Sequence, residues 1–242
     1  MLMAFISDVH ANLPALKGAV ADARTKGATE IICAGDIVGY GPFPDEVCDY
    51  LAENNIESIT GNYDCKVLET LKNGDSAIED LPKKKRELVL WTAKHLGKNA
   101  KHFLTGLPGS MEQDLSSGKN LAVVHGSPFS NNDAIYSSIT SRALETKLGE
   151  TRADILVCGH THVPFVKRID NVLIINCGSA GHPVDGDPMP SYALLSIEDD
   201  AIHGHIIRFE YDIDATVAAL KKTSLPKSLQ DDFAEGTKRR FL

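Results

Sequence analysis

Leu2-Met3-Ala4-Phe5-Ile6-Ser7-Asp8-Val9-His10-Ala11-Asn12 opens the chain with an apolar run, then a polar turn bearing a carboxylate and an imidazole. The run predicts a short buried strand over Leu2 to Ile6. Leu13, Leu16, Val20 and Ala23 then recur at helical spacing and predict a helix over Leu13 to Lys26, with Gly27 as its stop. Glu30 to Ala34 reads as the next strand, broken by Gly35. The loop Gly39-Tyr40-Gly41-Pro42-Phe43-Pro44 leads into a helix with Val47, Tyr50 and Leu51 on one face, and Ile56 to Thr60 reads as a third strand. This βαβαβ order is the pattern of a parallel, doubly wound arrangement.

Residues Cys65 to Leu107 are helical in tendency, with Leu88, Trp91 and Leu96 as candidate core contacts. A helical cap over one side of a site is expected within this stretch. Its run Lys83-Lys84-Lys85-Arg86 reads as a solvated helix face. Strands return at Leu121 to Val124, Ile155 to Cys158 and Val172 to Ile175. Val163 to Arg168, Tyr192 to Ile197 and Ile202 to Tyr211 follow with turns short enough for antiparallel pairing. That is too many strands for one sheet with helical crossovers, so two packed sheets with helices outside are expected. The tail from Asp214 is expected to be helical and split by Pro226, and no internal repeat occurs.

At 242 residues and 43% hydrophobic, the chain can bury one substantial core, so residues 1–242 are read as a single domain. A net charge of -8 makes it a poor non-specific binder of nucleic acid or anionic membrane, but does not bar one small phosphorylated molecule from a cationic site. The five cysteines (Cys33, Cys48, Cys65, Cys158 and Cys177) form no CxxC pair, which favours reduced structural thiols over a disulfide framework. No basic n-region and no membrane-length apolar run is found, so a cytoplasmic location is expected.

Asp8, Asp36, Asn62, His125 and His160 all fall just past predicted strands, where open α/β sheets bind ligands, and His10 and His162 stand two residues beyond Asp8 and His160. Each alone has an ordinary reading. Asp8 could cap a helix, Asp36 or Asn62 could serve a turn, and a lone histidine is more often structural than a ligand. Together they make a ligand set for two divalent ions. Mixed imidazole and carboxylate donors suit Mn, Fe, Co, Ni or Zn, with Mn favoured, and the lack of thiolate argues against a structural zinc site. Two such ions carry four positive charges against the two of Asp8 and Asp36, an excess that favours hydroxide and an anionic phosphate.

The order Ser7-Asp8-Val9-His10, Gly35-Asp36, Gly61-Asn62-Tyr63-Asp64, His125-Gly126 and Gly159-His160-Thr161-His162 resembles the calcineurin-like metallophosphoesterase superfamily. Val38-Gly39-Tyr40-Gly41-Pro42, Asn176-Cys177-Gly178-Ser179, Asp185-Gly186-Asp187-Pro188 and Ser191-Tyr192-Ala193 are similar to its small prokaryotic predicted phosphodiesterases, as is the tail from Tyr211-Asp212 through Leu225-Pro226 to Gly236. The resemblance implies a four-layer α/β/β/α sandwich of two mixed sheets. It implies one ion on Asp8, His10 and His162, another on Asn62, His125 and His160, and Asp36 bridging them. It further implies a bridging hydroxide as nucleophile and a phosphodiester or nucleotide as substrate. A dinucleoside polyphosphate hydrolase, a phosphoprotein phosphatase and a non-catalytic metal-binding scaffold are the competing readings. The oligomeric state is not legible.

Two positions depart from that family. Its third motif is commonly Gly-Asn-His-Asp, in which the histidine, paired with the following aspartate, assists the leaving group. Here Tyr63 precedes Asp64; a phenol is a poor proton donor at neutral pH, so Tyr63 either donates only a hydrogen bond, favouring substrates with good leaving groups, or merely packs at the rim. Relatives often carry Gln-Pro-Arg where this chain has His182-Pro183-Val184, so a cation is missing. His182 is a candidate acid or phosphate donor, or else a loop histidine without a catalytic role. The catalytic candidates are thus Asp36, Asn62, Tyr63, Asp64 and His182. Tyr40 is either a substrate neighbour or loop packing, and Asn12 either reaches the site or caps a helix. His95, His102, His203 and His205 are read as exposed or structural.

Overall fold

The computed structural model describes residues 1–198 and 201–237. The first half alternates strand and helix: β1 (Leu2–Ile6), α1 (Leu13–Thr25), β2 (Glu30–Cys33), α2 (Pro44–Glu53), β3 (Glu57–Ser58). Four helical segments follow: α3 (Asn62–Asn73), a 3-10 turn (Gly74–Ile78), α4 (Lys83–His95) and α5 (Lys98–Thr105). The second half runs β4 (Ser110–Asp114), β5 (Asn120–Val124), α6 (Ser141–Leu148), β6 (Ile155–Cys158), β7 (Phe165–Ile169), β8 (Val172–Asn176), β9 (Ser191–Glu198) and β10 (Ala201–Arg208). It closes on α7 (Ile213–Leu220) and α8 (Ser228–Glu235).

The strands form two five-stranded mixed sheets, ordered β10-β9-β1-β2-β3 and β4-β5-β6-β8-β7. In the first, β1, β2 and β3 are parallel, β9 runs against them, and β10, antiparallel to β9, closes the other edge. In the second, β5, β6 and β8 are parallel between antiparallel β4 and β7. Alternation within β1 shows how the layers are glued. Met3 and Phe5 point into the core between the sheets, beside Ile32, Val123, Val157 and Ile175. Ala4 and Ile6 point the other way, against Leu16, Val20 and Leu51 of the helices. Beyond the second sheet, Ala122, Val124, Leu156 and Ile174 pack with Leu144 of α6. The result is the expected α/β/β/α sandwich.

The helices of the 65–107 stretch join the outer layer: Leu88, Val89, Leu96 and Leu104 belong to the same core as Leu16 and Val20. β4 was not foreseen, because Ser110-Met111-Glu112-Gln113-Asp114 is a half-exposed edge strand with almost no apolar pattern. The last strand ends at Arg208 rather than Tyr211. The strand expected over Ile56 to Thr60 is only Glu57–Ser58, because Thr60 N–H turns away to donate to Pro108 O at 2.8 Å. α3 consequently starts at Asn62, which puts Asn62, Tyr63 and Asp64 in its first turn.

That first turn is locked to the loop after β2. Asp64, fully buried, reaches back to accept from the N-cap Gly61 N–H at 2.8 Å, and also accepts from Ile37 N–H at 3.2 Å and Val38 N–H at 3.0 Å. The two loops touch backbone to backbone: a Cβ on Gly61 would stand 2.1 Å from both the nitrogen and Oδ1 of Asp36. Asp64→Ala would leave three buried N–H groups without their acceptor. It is expected to cost about 3 kcal/mol or more in urea unfolding at unchanged m-value; a loss below about 1 kcal/mol would contradict the clamp.

Candidate metal centre

The parallel strands of both sheets end at one place, and every expected ligand stands there. Asp8 and His10 follow β1, Asp36 follows β2, Asn62 begins α3, His125 follows β5, and His160 and His162 follow β6. Asp8, His10 and His162 form one potential ligand cluster, and Asp8, Asp36 and His125 another. His162 Nε2 lies 3.2 Å from Asp8 Oδ1 and 3.1 Å from His10 Nε2. Asp36 Oδ2 stands between the two sides, 3.6 Å from His10 Nε2 and 3.5 Å from His125 Nε2. Asn62 Oδ1 meets His125 Nε2 at 3.0 Å and His160 Nδ1 at 2.9 Å. All seven residues therefore converge.

The surroundings orient these donors. Backbone carbonyls hold the Nδ1 of three imidazoles: Val38 O for His10, Ala34 O for His125 and His182 O for His162. In each case Nε2 is left to face the cluster, the arrangement that fixes a metal-binding histidine. Asp8 is held by Ser7 Oγ at 2.7 Å and His160 N–H at 2.9 Å, both on Oδ2, and Asp36 Oδ1 accepts from Tyr63 N–H at 2.8 Å. A Cβ on Gly159 would lie 1.9 Å from Ser7 Oγ and 2.4 Å from Asp8 Oδ2, so only glycine admits this contact. The backbone is strained as well. Asp8, His10, Asp36, His160 and His162 all adopt positive φ, between 48° and 65°. Non-glycine residues pay for that conformation, and such strain gathers at functional sites.

The electrostatics call for a cation. Asp8, His10 and His125 are completely buried and Asp36 nearly so. Burial opposes ionisation of Asp8, but His162 and His125 hold its carboxyl well below the usual carboxylate range. Burial alone would lower His125; the Asp36 and Asp8 carboxylates instead raise its pKa to about 10. His10 is pushed down to about 4 by burial, aided by His162 and resisted by Asp36. Two buried carboxylates thus keep a proton on a buried imidazole. Asp8 Oδ1 is buried with no hydrogen-bond partner, although three imidazole Nε2 atoms lie within 4.0 Å. An orphaned carboxylate oxygen among imidazole nitrogens fits divalent-metal ligation, the donor chemistry that displaces such a proton.

Other sequence candidates fall into different places. Tyr63 is 8% exposed, and its hydroxyl donates to Tyr40 Oη at 2.6 Å. Burial drives its pKa far above that of a free phenol, with Tyr40 adding to the effect. Asp64 lies beneath the site and is spent on the loop clamp; burial and Asp36 push its pKa up to about 6 against the pull of the three N–H donors. The His182 ring is 1% exposed, stacked on Tyr40 at 4.7 Å and packed on Phe233 at 4.8 Å, while its carbonyl orients His162. Asn12 is a helix cap, accepting from Ala15 N–H and tied to Gly181 O and Thr216. The five cysteines are free thiols. No described helix is long and apolar enough to cross a membrane.

Above the ligands lies a cavity of about 250 Å³, with Asp36, Asn62, His160 and His162 in its floor and Lys85, Tyr136 and Val184 in its walls. Lys85 corrects the reading of Lys83 to Arg86 as a solvated face. Lys84 also departs from it, donating to Ser228 Oγ. Leu81, Lys85 and Val89 share one side of the chain, which four-residue spacing could have flagged. Tyr136, 58% exposed on an irregular loop, gave no sequence signal.

Residues 1–200 match the model of the calcineurin-like phosphoesterase superfamily domain. An uncharacterised protein of Methanocaldococcus jannaschii is 31% identical over 243 residues, covering 94% of this chain and 95% of its own. The phosphodiesterase YfcE of Escherichia coli is 24% identical over 198 residues, 81% of this chain and 87% of its own. The crystal structure of a metallophosphoesterase from Sphaerobacter thermophilus, 31% identical, superposes with a TM-score of 0.79 over 98% of this chain and 100% of that one. With this match and the ligand cluster that its strand ends assemble, the chain belongs to the calcineurin-like phosphoesterase superfamily and is a metal-dependent phosphoester hydrolase.

Proposed function

We propose that this chain hydrolyses small phosphodiester or nucleotide substrates at a centre holding two divalent ions, with Mn favoured. Asp8, His10 and His162 would hold one ion, Asn62, His125 and His160 the other, and Asp36 both. The observation that carries this reading is Asp36 Oδ2, nearly equidistant from His10 and His125, beside the orphaned Asp8 Oδ1. Bound there, such a pair supplies Lewis acidity toward phosphoryl oxygens and an acidified water.

The chain's own residues do the rest. The strained loops hold the donors in place before substrate arrives, so little reorganisation accompanies the reaction. The floor formed by Asn62, His160 and His162 opens to the cavity, whereas Asp8, His10 and His125 are sealed beneath it. Tyr63 serves as a wall rather than an acid: its proton is committed to Tyr40 and its pKa is driven upward. His182 acts as a positioning residue, its ring wedged between Tyr40 and Phe233 and its carbonyl fixed on His162. Without a proton donor at residue 63, the best substrates are those whose leaving oxygen departs as a weak base, such as aryl oxides and phosphoanhydrides.

Chelation followed by gel filtration should abolish hydrolysis of an aryl phosphodiester, and Mn should restore it with two ions bound per chain. Asp36→Asn should lower kcat at least about 100-fold and reduce bound metal. Loaded protein with no turnover on diesters, monoesters or dinucleotides would overturn the enzyme reading in favour of a scaffold. Tyr63→His should raise the rate on an alkyl phosphodiester well beyond its effect on an aryl one. Equal gains on both would show that residue 63 does not act on the leaving group.

A further inference from the structure

Lys85 of α4 stands apart from the ligand loops, yet it lines the cavity above them together with Asp36, Asn62 and His160. It also lines a neighbouring cavity of about 130 Å³, whose walls include Asn62, Tyr63, Leu81 and Val89. Lys85 therefore stands where the two cavities meet, on a helix that Val89 anchors in the core and Lys84 ties to Ser228. The second cavity contains one more cation, Lys66, but its ammonium is taken by Glu69 at 2.9 Å and by Ala77 O at 3.2 Å. Among the described residues Lys85 has neither a hydrogen bond nor an ion pair. It is half-buried, so its charge is less screened than that of a surface lysine.

We infer that Lys85 is a specificity-determining residue that binds the substrate's phosphate and favours reacting groups carrying two negative charges over one. This rests on the two-ion reading above. Two divalent ions held there would bring four charges against the two of Asp8 and Asp36, and a hydroxide and a monoanionic diester would balance the excess of two. Lys85 adds one further positive charge at the cavity wall. The extra charge is met by a phosphomonoester dianion or by a phosphate flanked by a second phosphate. Val184, which lines the same cavity, is apolar and cannot share this task.

The test compares Lys85→Met and Lys85→Arg with the wild type, all loaded with Mn and checked for equal metal content. Each is assayed on an aryl phosphodiester (one charge) and an aryl phosphomonoester (two charges). Lys85→Met should raise KM for the monoester about tenfold more than for the diester, with kcat changed less than about twofold. Lys85→Arg should restore most of the difference. A calorimetric titration with inorganic phosphate should show about tenfold weaker binding to Lys85→Met. This readout needs no turnover, so it still judges Lys85 if the hydrolase reading fails on these substrates. An unchanged ratio of the two KM values together with unchanged phosphate affinity would overturn the assignment, as would an arginine variant no better than the methionine one.

Discussion

The whole site depends on burying the Asp8 carboxylate where imidazoles, rather than water, face it. Its Oδ2 is satisfied by Ser7 and the His160 amide, and its Oδ1 is left open beneath His10, His125 and His162. A buried carboxylate so arranged is costly unless a cation completes it. Much of the local architecture can be read as what keeps that oxygen both dry and open. Gly159 lacks a side chain so that the β6 loop can approach Ser7 and Asp8. Ser179 Oγ, beyond β8 of the second sheet, donates to Asp8 O at 2.7 Å and so braces the loop after β1. The candidate ligand cluster is thus built from the seam between the two sheets and draws residues from both.

The strained backbone follows from the same demand. A ligand placed directly after a buried strand must turn its side chain over the strand end within one residue. A left-handed conformation makes that turn, at about 1–3 kcal/mol for each non-glycine residue. Asp8, His10, Asp36, His160 and His162 share it. Such loops persist only if their surroundings over-determine them, and here the constraint is supplied by Asp64, by the Gly35–Gly61 backbone contact and by apolar layers on both faces of each sheet. Asp64 therefore serves the centre without lying in it, holding the loop after β2 against the first turn of α3.

The alternation of apolar runs and helical spacing in the first sixty residues was enough to read the parallel strands, because β1 and β2 are buried on both faces and punctuated by glycine. The second sheet was legible as strands but not as topology. β4 escaped because an edge strand needs no apolar face. That the seven candidate residues would converge was legible because they follow strands or begin α3 and belong to spaced motifs. What it rests on was not. The Asp64 clamp, the carbonyls behind the imidazoles and the packing of His182 between Tyr40 and Phe233 are contacts between segments far apart in the chain, and no local pattern encodes them.

Lys85 illustrates why the ligand floor could be read more readily than the substrate walls. The floor is assembled from strand-end loops bearing carboxylates, imidazoles and a carboxamide, residue types that leave a signature. The walls come from α4, from the irregular chain around Tyr136 and from the turn at Val184, and each supplies an ordinary residue. A lysine within a basic run has the same sequence appearance whether it faces bulk water or a cavity; only the packing of Leu88 and Val89 into the core decides which way the helix turns it. On the proposed reading the chemistry is fixed by strand ends and the selectivity by how a helix is turned. Changes in how the 65–107 helices seat on the core would then move Lys85 at the cavity wall while leaving the strand-end residues Asp8, Asp36, His125 and His160 in place.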